Sequence, residues 1–356
     1  MSDLNTESLA LHLASVGKIG TSLKVSLDNK HDLSLAYTPG VAAVCTAIAA
    51  DKSLAYTHTI KGKTIAVVSD GSAILGLGNL GPEAALPVME GKCALFKRFA
   101  GVDAFPLCLD TQDSEEIIKA VKQIAPVFGG INLEDIAAPR CFEIERRLQA
   151  ELDIPVMHDD QHGTAAVVLA ALINALKLRG SDKAEVKVVL SGAGAAGNAI
   201  ARLLLGYGLK NIIACDRQGA IYVGRPGLDA EKESLAAISN PSKRQGPLAE
   251  VLVEADIFIG VSSAGLVSAE MVKAMAPQAI VFALANPTPE IMPAEAEAAG
   301  AFVVASGRSD FKNQINNVLI FPGVFRGALD NGVKHISDEM LVRAAENLAA
   351  LVLDLS

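Results

Sequence analysis

A seven-residue run constrains this chain more than any other feature. Val186–Leu190 has the look of a short buried strand, and Ser191-Gly192-Ala193-Gly194-Ala195-Ala196-Gly197 follows it at once. Helical patterning resumes at Asn198–Leu205, and a further apolar run, Asn211–Cys215, ends in Asp216, 19 residues beyond the last glycine. G-x-G-x-x-G between a strand and a helix is a dinucleotide-binding fingerprint. Gly192 permits the tight turn, Gly194 lets backbone approach a pyrophosphate, and Gly197 allows close helix–strand packing. Ala195 and Ala196 open the helix, whose N–H groups and positive dipole end favour phosphate. Asp216 suits the ribose hydroxyls of NAD, whereas Arg217 beside it could hold the 2′-phosphate of NADP, so both cofactors stay open. A ligand-free glycine turn is the bland alternative, and the strand, helix and acid together outweigh it.

Such a unit belongs in a larger parallel sheet. Candidate strands are Thr64–Ser69, Ala104–Leu109, Ile124–Phe128, Ile154–Met157, Val186–Leu190, Ile212–Cys215, Ile257–Val261, Ile280–Ala283 and Phe302–Ala305. Most are continuous apolar runs, as expected of strands covered on both faces. Helix-like stretches alternate with them, including Ser114–Gln123 and Thr164–Leu178, the latter with Thr164 as N-cap and Gly180 past its end. Arg217–Pro247, broken by three prolines, reads as a surface excursion. The chain has 356 residues, 51% hydrophobic and 4% aromatic with no Trp, so aliphatic side chains must build the cores. That length suits about two domains, and a boundary is expected near His162, dividing residues 1–161 from 162–356. The fold expected is α/β throughout, the second domain being a Rossmann-type doubly wound sheet.

Charge and cysteines narrow the function classes. The net charge of -9 offers no basic face for nucleic acid. Five cysteines without a C-x-x-C pair argue against a disulfide framework. Asp3 and Glu7 precede any apolar stretch, unlike a signal peptide, and runs such as Ala165–Ile173 are short for a bilayer. A cytoplasmic protein without membrane partners is expected.

Four apolar runs in the first half lead into acids: at Asp70, at Asp110, at Glu134-Asp135 and at Asp159-Asp160. Ligands of open parallel sheets gather at strand carboxyl ends. Two acidic pairs converging there would repel one another unless a cation joined them, and oxygen ligands favour Mg2+ or Mn2+. Helix caps and turns are the ordinary alternative for any single acid. His158-Asp159-Asp160-Gln161-His162 also has the two-histidine spacing of a zinc hydrolase. That motif needs a helix, and here Pro155 precedes it and Gly163 follows, so local hydrogen bonding is the expectation for His158 and His162.

At this point the residues resemble the malic enzyme family, in particular its short bacterial form. The matching stretches are YTPGVA at Tyr37, DGSAILGLGNLGPEAALPVMEGKCALF from Asp70, INLEDIAAPRCFEIE from Ile131 and IPVMHDDQHGTA from Ile154. GAGAAGNA at Gly192, ALANPTPE from Ala283 and QINNVLIFPGVFRGALD from Gln314 continue the series in order. The resemblance implies an N-terminal substrate and metal domain before the NAD(P) domain, and oxidative decarboxylation of L-malate to pyruvate and CO2. It places the metal on Glu134, Asp135 and Asp160, the base at Lys92 with Asp159 orienting it, and the proton donor to C3 at Tyr37. Asn286 and Asn317 match the asparagines that hold substrate carboxylate and nicotinamide amide, with Asn316 a close second. Lys92 would need its pKa lowered from about 10.4. Longer members carry an Arg carboxylate clamp where Ala73 stands, as the short form does not, and Ser72 is one candidate for that role. Members are dimers or larger. A malolactic reaction ending at lactate, a catalytically silent nucleotide sensor and a zinc hydrolase are the competing readings.

Overall fold

The computed structural model describes residues 2–74 and 77–352. Leu75 and Gly76, inside the block read from Asp70, and 353–356, at the end of the expected second domain, lie outside the described residues.

Two parallel sheets carry the fold. The first holds β1 (Thr64–Ser69), β2 (Asp103–Cys108), β3 (Gly130–Leu133) and β4 (Val156–His158) in the order β2-β1-β3-β4. The second holds β5 (Lys187–Ser191), β6 (Asn211–Asp216), β7 (Gly219–Ala220), β8 (Ile257–Gly260), β9 (Ile280–Ala283) and β10 (Val303–Ser306). Its order is β10-β9-β8-β5-β6-β7, and only the two-residue β7 runs antiparallel. Sequence order reverses direction at β5, which makes the carboxyl end of β5 and β8 a topological switch point.

The helix Asp159–Arg179 joins the two halves. Val167, Val168, Leu169, Leu172 and Ile173 are all buried on it, within one apolar cluster that includes Ile65 and Val67 of β1 and Val188 and Leu190 of β5. A helix buried on most sides reads as apolar all round, which explains its near-continuous alanine and leucine.

The structure corrects three expectations. Ile124–Phe128 is not a strand: Ile124 ends the helix Ser114–Ile124, and Ala125–Val127 form a 3-10 turn through Pro126. The strand is Gly130–Leu133. The long helix starts at Asp159, not Thr164, because the Glu145 carboxylate accepts the His158 N–H at 2.7 Å and supplies the cap from another helix. Arg217–Pro247 contains β7 and the helix Ala230–Ile238, whose Leu235 enters the core.

The N-terminal arm is different in kind. Among the described residues, the helices Ser2–Ser15, Lys30–Ala36 and Val41–Ala50 have no buried side chain. Leu4, Leu9, Leu13, Leu23, Leu33 and Leu35 are all exposed. Lys30–Ala50 and Asp159–Arg179 are each long and apolar enough to match a membrane span, but the first is two helices split at Thr38-Pro39-Gly40 and the second lies largely inside the protein.

Candidate active site

Residues just past the carboxyl ends of β3, β5, β8 and β9 line one cavity of about 670 Å3, closed on another side by the helix Pro82–Leu95. Glu134 and Asp135 enter from the end of β3, Asp160 from the first turn after β4, and Lys92 from the helix. The four acid-ended runs thus separate. Asp110 is exposed, and Asp70 is spent on Arg140 at 2.7 Å and on Ser72. The other two supply the cluster.

Carboxylate oxygens of Glu134, Asp135 and Asp160 lie within 4.8 Å of one another. Their arrangement is held by backbone: the Asp135 N–H donates to Asp160 at 2.8 Å, with Asp135 in the left-handed region at φ 53. Asn132 donates to Glu134 at 2.9 Å. Lys92, only 8% exposed, contacts Asp159 Oδ2, lies 3.0 Å from Glu134 Oε1 and 3.4 Å from Asn317 Oδ1, and sits 4.3 Å from the Phe321 ring centroid.

Three acids, Asp159, Glu134 and Asp160, act on one lysine, and the electrostatics follow. Burial, together with the neighbouring acids, pushes the Glu134 carboxyl well above the usual carboxylate range against the pull of Lys92. Burial alone would lower the Lys92 pKa, yet Asp159, Glu134 and Asp160 outweigh it and raise the ammonium above its ordinary value. The lowered pKa expected for a base is therefore not a property of these side chains by themselves. Their excess negative charge and all-oxygen donor set fit a divalent cation such as Mg2+ or Mn2+, which would withdraw the charge that holds the Lys92 proton.

The other candidates divide. Asp159 is fully buried, and its Oδ1 occupies the space that a Cβ at Gly163 would fill, so Gly163 is required for Asp159 to fold back toward Lys92. Asn286, Asn316 and Asn317 line the cavity. Asn316 Oδ1 also accepts the Val318 N–H at 3.0 Å and caps the turn that carries Asn317. Ser72 lies outside the lining: its hydroxyl donates to Asp70 at 2.5 Å and accepts from Ala137 N and Arg140, which leaves little for a substrate. Tyr37 is 67% exposed on the arm and is not part of the wall.

The cofactor turn fits a dinucleotide. Gly192 has φ 117, and a Cβ there would lie 2.7 Å from Val261 O. A Cβ at Gly197 would overlap the Gly192 carbonyl, whereas Gly194 faces open space. Gly194 caps the helix Ala195–Tyr207 without any side-chain hydrogen bond, which leaves the helix end to backbone N–H groups. Ala196 lines the cavity. Asp216 ends β6 as expected, but Arg225 grips both its oxygens, one at 2.9 Å, and Lys232 lies 3.5 Å away, with Arg217 exposed. Burial opposes the Asp216 charge, and Arg225 still holds its carboxyl below the ordinary range.

His158 ends β4 in extended backbone and caps the helix, whereas His162 lies in its first turn. The two histidines thus straddle the helix start, as the sequence leads one to expect, and neither is a member of the carboxylate cluster. His162 Nε2 lies 3.1 Å from Glu145, which also accepts from Gln161 at 3.0 Å. The buried His158 ring, expected to form local hydrogen bonds, makes none at either nitrogen among the described residues, and its Nδ1 lies 3.9 Å from Asp160 Oδ2. Glu145 and Phe321 carry no signal in a single sequence, and Gly163, which reads there as a helix breaker, lies inside the helix and makes room for Asp159.

Comparison with known proteins gives the same assignment. Residues 161–355 match the malic enzyme NAD-binding domain, and 17–116 with 111–149 match the malic enzyme N-terminal domain. The chain is 57% identical to a bifunctional malic/malolactic enzyme of Bacillus subtilis (strain 168), over 98% of this chain and 85% of that protein. It is 56% identical to an NAD-dependent malic enzyme of Geobacillus stearothermophilus, over 98% and 73%. The crystal structure of an NAD-dependent malic enzyme from Thermotoga maritima superposes with a TM-score of 0.93 at 51% identity, covering 95% of this chain and 90% of that one. With both halves matched in order along nearly its whole length, the chain belongs to the malic enzyme family.

Proposed function

We infer that this protein oxidatively decarboxylates L-malate to pyruvate and CO2, reducing NAD or NADP, with Mg2+ or Mn2+ held by Glu134, Asp135 and Asp160. The observation that carries the reading is Lys92, locked against Asp159 and Glu134 in the cavity that the cofactor turn also lines. When bound, the cation would supply Lewis acidity at the substrate oxygens and the nicotinamide cofactor a hydride acceptor facing C2. Lys92 takes the proton of the C2 hydroxyl, and Asp159 and Asn317 aim its amine. Asn286 and Asn317 hold the carboxylate and nicotinamide amide. Once CO2 has left, Tyr37 returns a proton to C3. The substrate and metal half is residues 1–161 and the cofactor half 162–356, in a cytoplasmic enzyme.

Tyr37 supports a homodimer with shared sites. It stands on an arm with no buried side chain, outside the wall of its own cavity, and the arm's exposed leucines form the kind of surface that a second copy covers. Mixing inactive Lys92→Ala with inactive Tyr37→Phe should restore about one quarter of wild-type activity, because half the dimers are mixed and each has one intact site. No recovery from exchanged subunits would return Tyr37 to the site of its own chain.

The reaction is tested by mixing malate, Mn2+ and either cofactor and following the near-ultraviolet absorbance of reduced nicotinamide. Reduction with pyruvate as product is expected. Lactate without net reduction would instead select the malolactic reaction.

A further inference from the structure

We propose that Lys18 is the cation that binds the substrate carboxylate retained in pyruvate; this rests on the malate reading above. Among the described residues, Lys18 is, besides Lys92, the one Lys or Arg in the cavity wall. Lys92 is already committed to Asp159 and Glu134, and Ala73 brings no charge to its part of the wall. Glu134, Asp135, Asp159 and Asp160 against Lys92 leave a formal charge of about -3, and a divalent cation leaves about -1. A dianionic substrate entering that pocket needs a further positive group, and Lys18 is placed to be it.

Its position is built. Val16 and Gly17 turn the chain in the left-handed region, at φ 52 and φ 93, just past the helix Ser2–Ser15. A Cβ at Gly17 would come within 3.0 Å of the Glu90 carboxylate. The Lys18 N–H donates to Glu90 at 3.0 Å and its Nζ to Pro87 O at 2.6 Å, so the ammonium rests on the same helix as Lys92, about one turn before it. Pro87 O uses one of three N–H donors, leaving two for a carboxylate.

The reaction itself selects which carboxylate. The C4 carboxylate gives up its charge as it leaves as CO2, so a cation there would favour the ground state and oppose the reaction. A cation on C1 stabilises substrate and product alike.

The test is Lys18→Met beside Lys18→Arg in the metal-loaded enzyme. For Lys18→Met the KM for malate and the inhibition constant for pyruvate should rise together, by about 10- to 100-fold. Its kcat should stay within about threefold, and NADH and Mn2+ affinities should not move; Lys18→Arg should recover most of the loss. An unchanged malate KM, or a raised KM with unchanged pyruvate inhibition, would overturn the assignment while leaving malate oxidation standing. Wild-type enzyme that fails to oxidise malate would overturn the reaction itself.

Discussion

The cofactor turn and the acid–lysine cluster meet in one cavity, yet they are encoded in different ways. The turn is seven consecutive residues whose function lies in backbone: a positive φ at Gly192, a close approach at Gly197 and open space at Gly194. The cluster collects side chains from β3, from two helices and from the turn at Asn317, with 225 residues between its most distant contacting pair, Lys92 and Asn317. Local sequence can specify the first, because glycine tolerates backbone geometry that other residues cannot. Only the completed fold specifies the second, where mutual electrostatics decide what each group can do.

This contrast can be broken by damaging one side at a time. The largest effect is expected from Glu134→Gln. It should weaken Mn2+ binding by at least about 10²-fold and malate turnover with it, while NADH affinity stays within about twofold. Calorimetry with each ligand separately checks this, and coupled losses would mean that the two halves are not independent. Gly197→Ala should do the reverse. Its Cβ overlaps the Gly192 carbonyl, so NADH affinity should fall by about tenfold or more and stability by about 1–3 kcal/mol, with Mn2+ binding intact. Cofactor fluorescence titration beside thermal unfolding measures both.

The smallest effect concerns the frame behind the acids. Burial opposes both charges in the Glu145–His162 pair, yet the mutual attraction raises the His162 pKa and lowers that of Glu145. Histidine's contribution is therefore complete below its ordinary value of 6.5 and fades as pH rises through the raised one. The Glu145 contribution is complete above 4.5 and fades as pH falls through the lowered one. The stability lost on His162→Gln should thus be greatest between those values and shrink toward pH 9, by on the order of 1 kcal/mol. A pH-independent difference in unfolding free energy would show that the pair's charge is irrelevant.

How much could be read beforehand follows the same division. β1 and β9 coincide with their expected bounds, Thr64–Ser69 and Ile280–Ala283, because each is a continuous apolar run buried on both sides. Ile124–Phe128 misled because Ile124 belongs to the apolar face of a helix shared with Ile117 and Val121. The start of the long helix was illegible because its cap, Glu145, comes from another element. Among site residues, the acids at strand ends stood out by pattern. Lys92 did not: one lysine resembles any other until Asp159, Glu134 and Phe321 surround it. Tyr37 is legible only through the family resemblance, because it stands exposed on the arm, outside the wall of its own chain's cavity.

The most direct test of the central claim is a single turnover with enzyme in excess over L-malate, in the presence of NAD and Mn2+. Wild-type protein should yield pyruvate and NADH in equal amounts, and Lys92→Ala should yield neither while binding NADH as tightly as wild type. NADH formation by Lys92→Ala at the wild-type rate would contradict the account.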